Sequence, residues 1–151
     1  MPETIISDTS CFIVLTNIGE LELLKTIYGS VTTTPEVAAE FGSPLPKWVE
    51  LKSAVDKSRQ RILELTLDKG EASAIALALE ISDSTIILDD DKARKVAEKL
   101  GLEITGTIGI IIKAKLQKTI PSIKPYITKI RKTDFRMSPE LELQALREAG
   151  E

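Results

Sequence analysis

Asp68-Lys69-Gly70-Glu71-Ala72-Ser73-Ala74-Ile75-Ala76-Leu77-Ala78-Leu79, followed by Thr85-Ile86-Ile87-Leu88 and then Asp89-Asp90-Asp91-Lys92-Ala93, is the stretch that decides the fold. Its first part is dense in alanine and leucine, both strong helix formers, and Asp68 with Glu71 matches the capping-box spacing that opens a helix. The second part is a short β-branched apolar run, as expected of a buried strand. After the three aspartates, Ala93, Val96, Ala97 and Leu100 recur at helical spacing until Gly101 closes the run. Helix, strand and helix in succession indicate a parallel sheet, because parallel neighbours need a crossover connection.

The same grammar extends outward. Thr4-Ile5-Ile6-Ser7 reads as a strand that stops at Asp8-Thr9-Ser10, side chains suited to turns and caps. Leu15, Ile18, Leu21, Leu24 and Ile27 then mark core-facing helical turns on either side of Gly19. Val31-Thr32-Thr33 is a second strand, and Thr34-Pro35-Glu36 starts a helix with a threonine cap and proline at its first position. Gly42, Pro44 and Pro46 break that helix, and the stretch from Trp48 to Leu65 reads as a helix followed by a short extended piece. Glu103-Ile104-Thr105 is a further short strand, after which Gly106-Thr107-Ile108-Gly109 enters an apolar helix. Ser138-Pro139-Glu140 starts a last helix carrying Leu141, Leu143 and Leu146, which either caps the domain or docks on a partner. The expected architecture is a three-layer α/β/α sandwich with a central, mainly parallel sheet.

Composition narrows the chemistry. The 151 residues are 42% hydrophobic, enough for one domain with a substantial core. Lone Cys11 excludes an internal disulfide, and no charged leader or apolar run long enough to span a bilayer is present, so a soluble cytoplasmic protein is expected. The absence of histidine removes the commonest general base and every Ser-His or Cys-His pair, leaving carboxylates to carry any chemistry. The net charge of -3 hides an asymmetry: residues 1–91 hold 7 basic and 16 acidic side chains, whereas residues 92–136 hold 12 and 3. Such blocks suit a metal site beside a phosphate-binding face, and equally suit ordinary solvated helices.

In an open parallel sheet, ligands gather outside the carboxyl ends of the strands. Asp8 and Asp89 each follow a predicted strand, and Glu71 starts the helix that feeds the second of them. Glu40 sits in mid-helix, where no cap needs it. Plainer roles exist for each: Glu71 as half of a capping box, Asp90 and Asp91 as helix-start acids, Glu36 as a first-turn acid, and Thr9 and Ser10 as caps rather than partners orienting Asp8. If the four carboxylates converge, they suit Mg²⁺ or Mn²⁺, which prefer oxygen ligands and drive in-line attack on phosphodiesters without histidine.

Four segments then carry a resemblance: Ile5-Ile6-Ser7-Asp8-Thr9-Ser10, Thr34-Pro35-Glu36-Val37-Ala38-Ala39-Glu40, Asp68-Lys69-Gly70-Glu71-Ala72-Ser73-Ala74-Ile75, and Ile87-Leu88-Asp89-Asp90-Asp91-Lys92-Ala93-Arg94. The chain resembles the PIN domain family, the fold of the VapC-like toxin ribonucleases of prokaryotic toxin–antitoxin pairs, over residues 4–120. Gly106-Thr107-Ile108-Gly109 is similar to a signature of a less characterised PIN-like subgroup, whose members need not be toxins. The resemblance implies a nuclease domain over residues 1–136 with a C-terminal helix at 137–151 that packs on the domain or on a partner. It further implies an acidic site at Asp8, Glu40, Glu71 and Asp89, a Mg²⁺ or Mn²⁺ requirement, endonucleolytic RNA cleavage, an antitoxin partner and a homodimer. Glu71 stands where many toxin members have aspartate, and in Asp89-Asp90-Asp91 the last residue is a further candidate metal ligand beside Asp8, Glu71 and Asp89. Lys113, Lys115, Lys118, Lys124, Lys129, Arg131, Lys132 and Arg136 would supply phosphate contacts, with Tyr126 and Phe135 the aromatics among them.

Two rivals remain at this level. One is a PIN-like interaction module without catalysis. The other is a phosphatase-like or receiver-like domain with a phosphorylated aspartate, against which Ser10 occupies the place where such a phosphatase carries its second aspartate. No glycine-rich loop ending in Gly-Lys-Ser/Thr is present, which removes P-loop chemistry.

Overall fold

The computed structural model describes residues 3–151. Five strands form one sheet: β1 Thr4–Ser7, β2 Val31–Thr33, β3 Val49–Leu51, β4 Ser84–Ile87 and β5 Glu103–Thr105. Their order is β3-β2-β1-β4-β5 and every pairing is parallel. The central pair is in register from Thr4 opposite Ser84 to Ser7 opposite Ile87. Among the described residues nine helices complete the chain: α1 Thr9–Asn17, α2 Glu22–Tyr28, α3 Pro35–Phe41, α4 Lys57–Leu63, α5 Lys69–Glu80, α6 Asp91–Lys99, α7 Thr107–Leu116, α8 Lys124–Arg131 and α9 Pro139–Glu148.

Alternation along the strands makes the three layers. Ile5 and Ile87 point into one apolar cluster with side chains of α1, α2, α7, α8 and α9. Ile6, Ile86 and Leu88 point into a second cluster with α5 and α6. Each such aliphatic side chain, fully withdrawn from water, stabilises the fold by roughly 1.5–3 kcal/mol. The sandwich expected from the sequence is therefore the observed architecture, with the sheet wholly parallel.

One expectation needs correction. Between Trp48 and Leu65 the order is strand first, β3, and helix second, α4, the reverse of the sequence reading. Edge strand β3 is only three residues long with Leu51 exposed, while α4 turns Gln60 inward and leaves Ile62 in solvent, so neither element shows an apolar stripe. The last helix, α9, lies against α7: Ala145 and the C-cap residue Ala149 are buried in the first cluster, whereas Leu141 and Leu143 are exposed. Glu151 anchors that end: its carboxylate accepts from Lys115 Nζ at 3.3 Å, from the Ser122 hydroxyl and from the Ile123 N–H at 2.8 Å.

The chain runs from β1 outward to β3 and then returns to the other side of β1 with β4. The direction of winding thus reverses between β1 and β4, and their carboxyl ends flank the crevice that such a switch point leaves.

Candidate active site

Asp8 is the first residue past β1 and lies at that crevice. It caps α1, its Oδ1 accepting from the Cys11 N–H at 3.0 Å, and its own N–H donates to the Ile87 carbonyl of β4 at 3.1 Å. Its Oδ2 accepts from the Asp89 N–H at 3.3 Å, which ties the two strand ends together. The residue is only 2% exposed. Burial first, and the Asp89 carboxylate second, hold its carboxyl well above the ordinary range, against the opposing pull of the two backbone N–H groups.

Asp89 is fixed from three sides. Its Oδ1 accepts from the Thr107 N–H at 2.8 Å, and its Oδ2 accepts from the Thr107 hydroxyl at 2.6 Å and the Ser10 hydroxyl at 2.9 Å. Gly106 has no side chain to cap α7, so Asp89 does it from another element. A Cβ at position 106 would lie 2.9 Å from Arg94 Nη1 and 3.1 Å from Asp89 Oδ1, so glycine there leaves space for the carboxylate.

Glu40 projects from α3 and receives the Thr9 hydroxyl on Oε1 at 2.7 Å. Thr9 and Ser10 therefore orient Glu40 and Asp89, and not Asp8 as their adjacency suggested. Glu71 lies in the first turn of α5, where its N–H donates to the Asp68 cap at 2.8 Å. Burial first, then the carboxylates of Asp68 and Asp90, push Glu71 up from the ordinary 4.5 to about 7. Asp8, Glu40, Asp68 and Glu71 line one cleft of about 570 Å³ together with Thr9, Ser10, Ile13, Asp134 and Phe135. Asp89 faces an adjoining cleft of about 750 Å³ and meets the first group through Asp8 and Ser10. Asp91, exposed in the first turn of α6, lines only the adjoining cleft; Asp90 caps that helix by accepting from the Ala93 N–H at 2.9 Å.

The donors are carboxylate and hydroxyl oxygens, the set that a hard divalent cation takes. Among the described residues none of Asp8, Glu40, Glu71 and Asp89 is ion-paired with lysine or arginine. Among the described residues no three acidic or cysteine side chains are grouped so as to hold a metal ion by themselves. Mg²⁺ needs no cage, since one or two carboxylates with waters and substrate phosphate suffice, so the residues present fit such an ion. The buried Cys11 thiol is pushed well above its ordinary value by burial and the two aspartates, which leaves it protonated and unreactive.

A family model described as a PIN domain matches residues 4–151. The chain belongs to the PIN domain family. No curated protein sequence matches it significantly. PIN domains are in general nucleases, which places this chain among hydrolases acting on nucleic acids. In this PIN domain, Thr107 and Gly70 stand in motifs that the sequence offered without a role for either at the site. The Gly106-Thr107 pair directly after a strand was the available signal for the first. No helix among the described residues is long and apolar enough to cross a membrane.

The raised groups make the metal-free PIN domain sensitive to pH. For Glu71 the folded state holds its proton more tightly than the unfolded chain. The resulting stabilisation is full below 4.5 and is lost as pH rises through about 7. The melting temperature of EDTA-treated protein is therefore expected to fall between pH 5 and pH 8, and to fall less in Glu71→Gln. Identical slopes for the two proteins would show that Glu71 carries no such strain.

Proposed function

We propose that this PIN domain is a Mg²⁺- or Mn²⁺-dependent endoribonuclease. Asp8, Glu40, Glu71 and Asp89 are its catalytic carboxylates, and Asp8, Glu71 and Asp89 hold the ion, with Asp91 an outer candidate. The observation that carries this reading is the coupling of Asp8 to Asp89 at the β1–β4 crevice, beside Glu71, with none of the three ion-paired to lysine or arginine among the described residues. A divalent ion bound there supplies an activated water and neutralises charge at the phosphate. The chain's own part is positioning. Thr107 and Ser10 fix Asp89, Thr9 fixes Glu40, and the end of β1 fixes Asp8, so little reorganisation accompanies binding.

A toxin role with an antitoxin partner, a homodimer and a cytoplasmic location form the finer part of this proposal. The resemblance of the four motif segments to the VapC-like ribonucleases supports the first two, and the lone buried Cys11 is consistent with the third.

Titration of Mn²⁺ and Mg²⁺ into purified protein with a mixed RNA substrate, beside an EDTA control, tests the activity. Asp89→Asn is expected to lower cleavage by at least about a hundredfold, because it removes ligand charge at the most firmly held carboxylate. Asp91→Asn should stay within a few-fold of wild type; a larger loss than in Asp89→Asn would move the ligand to position 91. Metal binding without cleavage of any RNA would point to a missing substrate or partner, and neither binding nor cleavage would favour the interaction module.

A further inference from the structure

Two apolar side chains stand among the carboxylates of the smaller cleft: Ile13, 42% exposed on α1, and Phe135, from the segment between α8 and α9. Phe135 also lines the adjoining cleft, where the cations are Arg94 and Arg136. One ring is thus a wall common to both clefts, the wholly acidic one and the larger one, where the two arginines stand beside Asp89, Asp91 and Glu148. Its place is set by the turn before it: the Thr133 hydroxyl donates to the Ile130 carbonyl at 2.6 Å and accepts from the Phe135 N–H at 3.2 Å. The ring packs in part on the core and keeps part of its surface in solvent.

The cations beside it differ from three of the basic stretch that are already paired. Lys115, Lys129 and Arg131 are matched by Glu151, Glu20 and Glu142, so they are poor candidates for phosphate contacts. Lys129 also lies over the Tyr126 ring, 5.6 Å from its centroid, which removes that aromatic as a free platform. Arg94 and Arg136 form no ion pair among the described residues. Arg94 is steadied by donating from Nη1 to the Leu88 carbonyl at 2.8 Å, one residue before Asp89.

A ligand that fits both clefts must offer a flat apolar face to Phe135 and negative charge to the two guanidinium groups, in continuity with the carboxylate site. We propose that Phe135, with Ile13 beside it, stacks an unpaired base next to the scissile phosphate, while Arg136 and Arg94 take a neighbouring backbone phosphate. The subsite selects single-stranded RNA, because bases within a duplex present no free face. This rests on the nuclease reading above, and it adds Phe135, Ile13 and Arg136, which the acidic motifs do not contain, to Arg94, which closes the fourth of them.

The test is steady-state cleavage of an unstructured RNA oligonucleotide, and of the same sequence in a duplex, by wild type, Phe135→Leu and Phe135→Trp in Mn²⁺. Leucine keeps apolar volume against the core without a ring, and thermal melting checks that each variant is folded. Phe135→Leu is expected to raise KM on the single strand by about tenfold with kcat within about twofold, whereas Phe135→Trp keeps the wild-type KM. Wild type should cleave the duplex less efficiently, and Phe135→Leu should narrow that difference. A wild-type KM in Phe135→Leu overturns the subsite, as does a fall in kcat alone. If wild type cleaves no RNA, the nuclease reading has failed, and fluorescence anisotropy with the labelled oligonucleotide still judges the subsite. Binding weakened by leucine and kept by tryptophan upholds it, and equal binding, or none, overturns it.

Discussion

Asp8→Asn is expected to abolish metal-dependent RNA cleavage and, in EDTA at pH 8, to raise the melting temperature of the protein. The two effects have one cause. Asparagine keeps the Oδ1 that accepts from the Cys11 N–H, so the cap of α1 survives, since Asn and Asp are near-equal caps. What disappears is a buried negative charge facing Asp89, which in the metal-free protein costs stability and in the metal-bound protein holds the ion. The long 3.3 Å contact with the Asp89 N–H is the lesser loss. Because burial and Asp89 raise the folded-state value of Asp8, its penalty is absent at low pH and grows as pH climbs through that value. The variant should therefore gain on wild type as pH rises from 4 to 8, each kcal/mol appearing as about 2–4 °C in a chain of this size. Cleavage should fall at least about a hundredfold, and added Mn²⁺ should stabilise wild type far more than the variant. Parallel melting curves with retained cleavage would remove Asp8 from the site.

Asp8 and Asp89 were legible because each terminates a strand whose burial the sequence makes plain, and the winding of a parallel sheet does the rest. Ile6 and Ile86, paired in register, bring the two strand ends level without help from any loop. Periodicity likewise carried α5, where Ala72, Ala74, Ile75 and Ala76 are fully withdrawn from water. It failed for Val49–Leu51 and Lys57–Leu63, since an edge strand and a peripheral seven-residue helix bury too little to imprint a pattern. The hydroxyl partners failed for another reason. Thr9 reaches Glu40 and Ser10 reaches Asp89, 31 and 79 residues away, although both sit beside Asp8 in the chain. Residues next to each other on a first helical turn point in different directions, so adjacency says little about who orients whom. Phe135 was visible as an aromatic in a basic stretch. Its place between two clefts depends on how the segment after α8 returns over the sheet edge, and that is a tertiary property.

Gly70 separates function from stability in a way no carboxylate can. It lies in the first turn of α5 with no positive φ to demand glycine, and helix propensity alone favours alanine by up to about 1 kcal/mol. The reason for glycine is space: a Cβ there would stand 1.9 Å from Glu40 Oε1, 2.8 Å from its Cδ and 3.1 Å from Thr9 Oγ1. The atoms in the way are largely the mobile end of a glutamate, which can swing aside at little energetic cost. Gly70→Ala is therefore expected to fold with an unchanged or slightly higher melting temperature while the Glu40 carboxylate leaves its place and its bond to Thr9. If Glu40 works where it stands, displacement by an ångström or more should lower cleavage by about 10–100-fold, and Glu40→Gln in the same background should add little further loss. Full activity in a stable Gly70→Ala protein would show that Glu40 is a solvated side chain whose meeting with Thr9 serves only the local surface. A protein that unfolds instead would locate the constraint in the packing of α5 on α3, since those two helices face each other at this glycine.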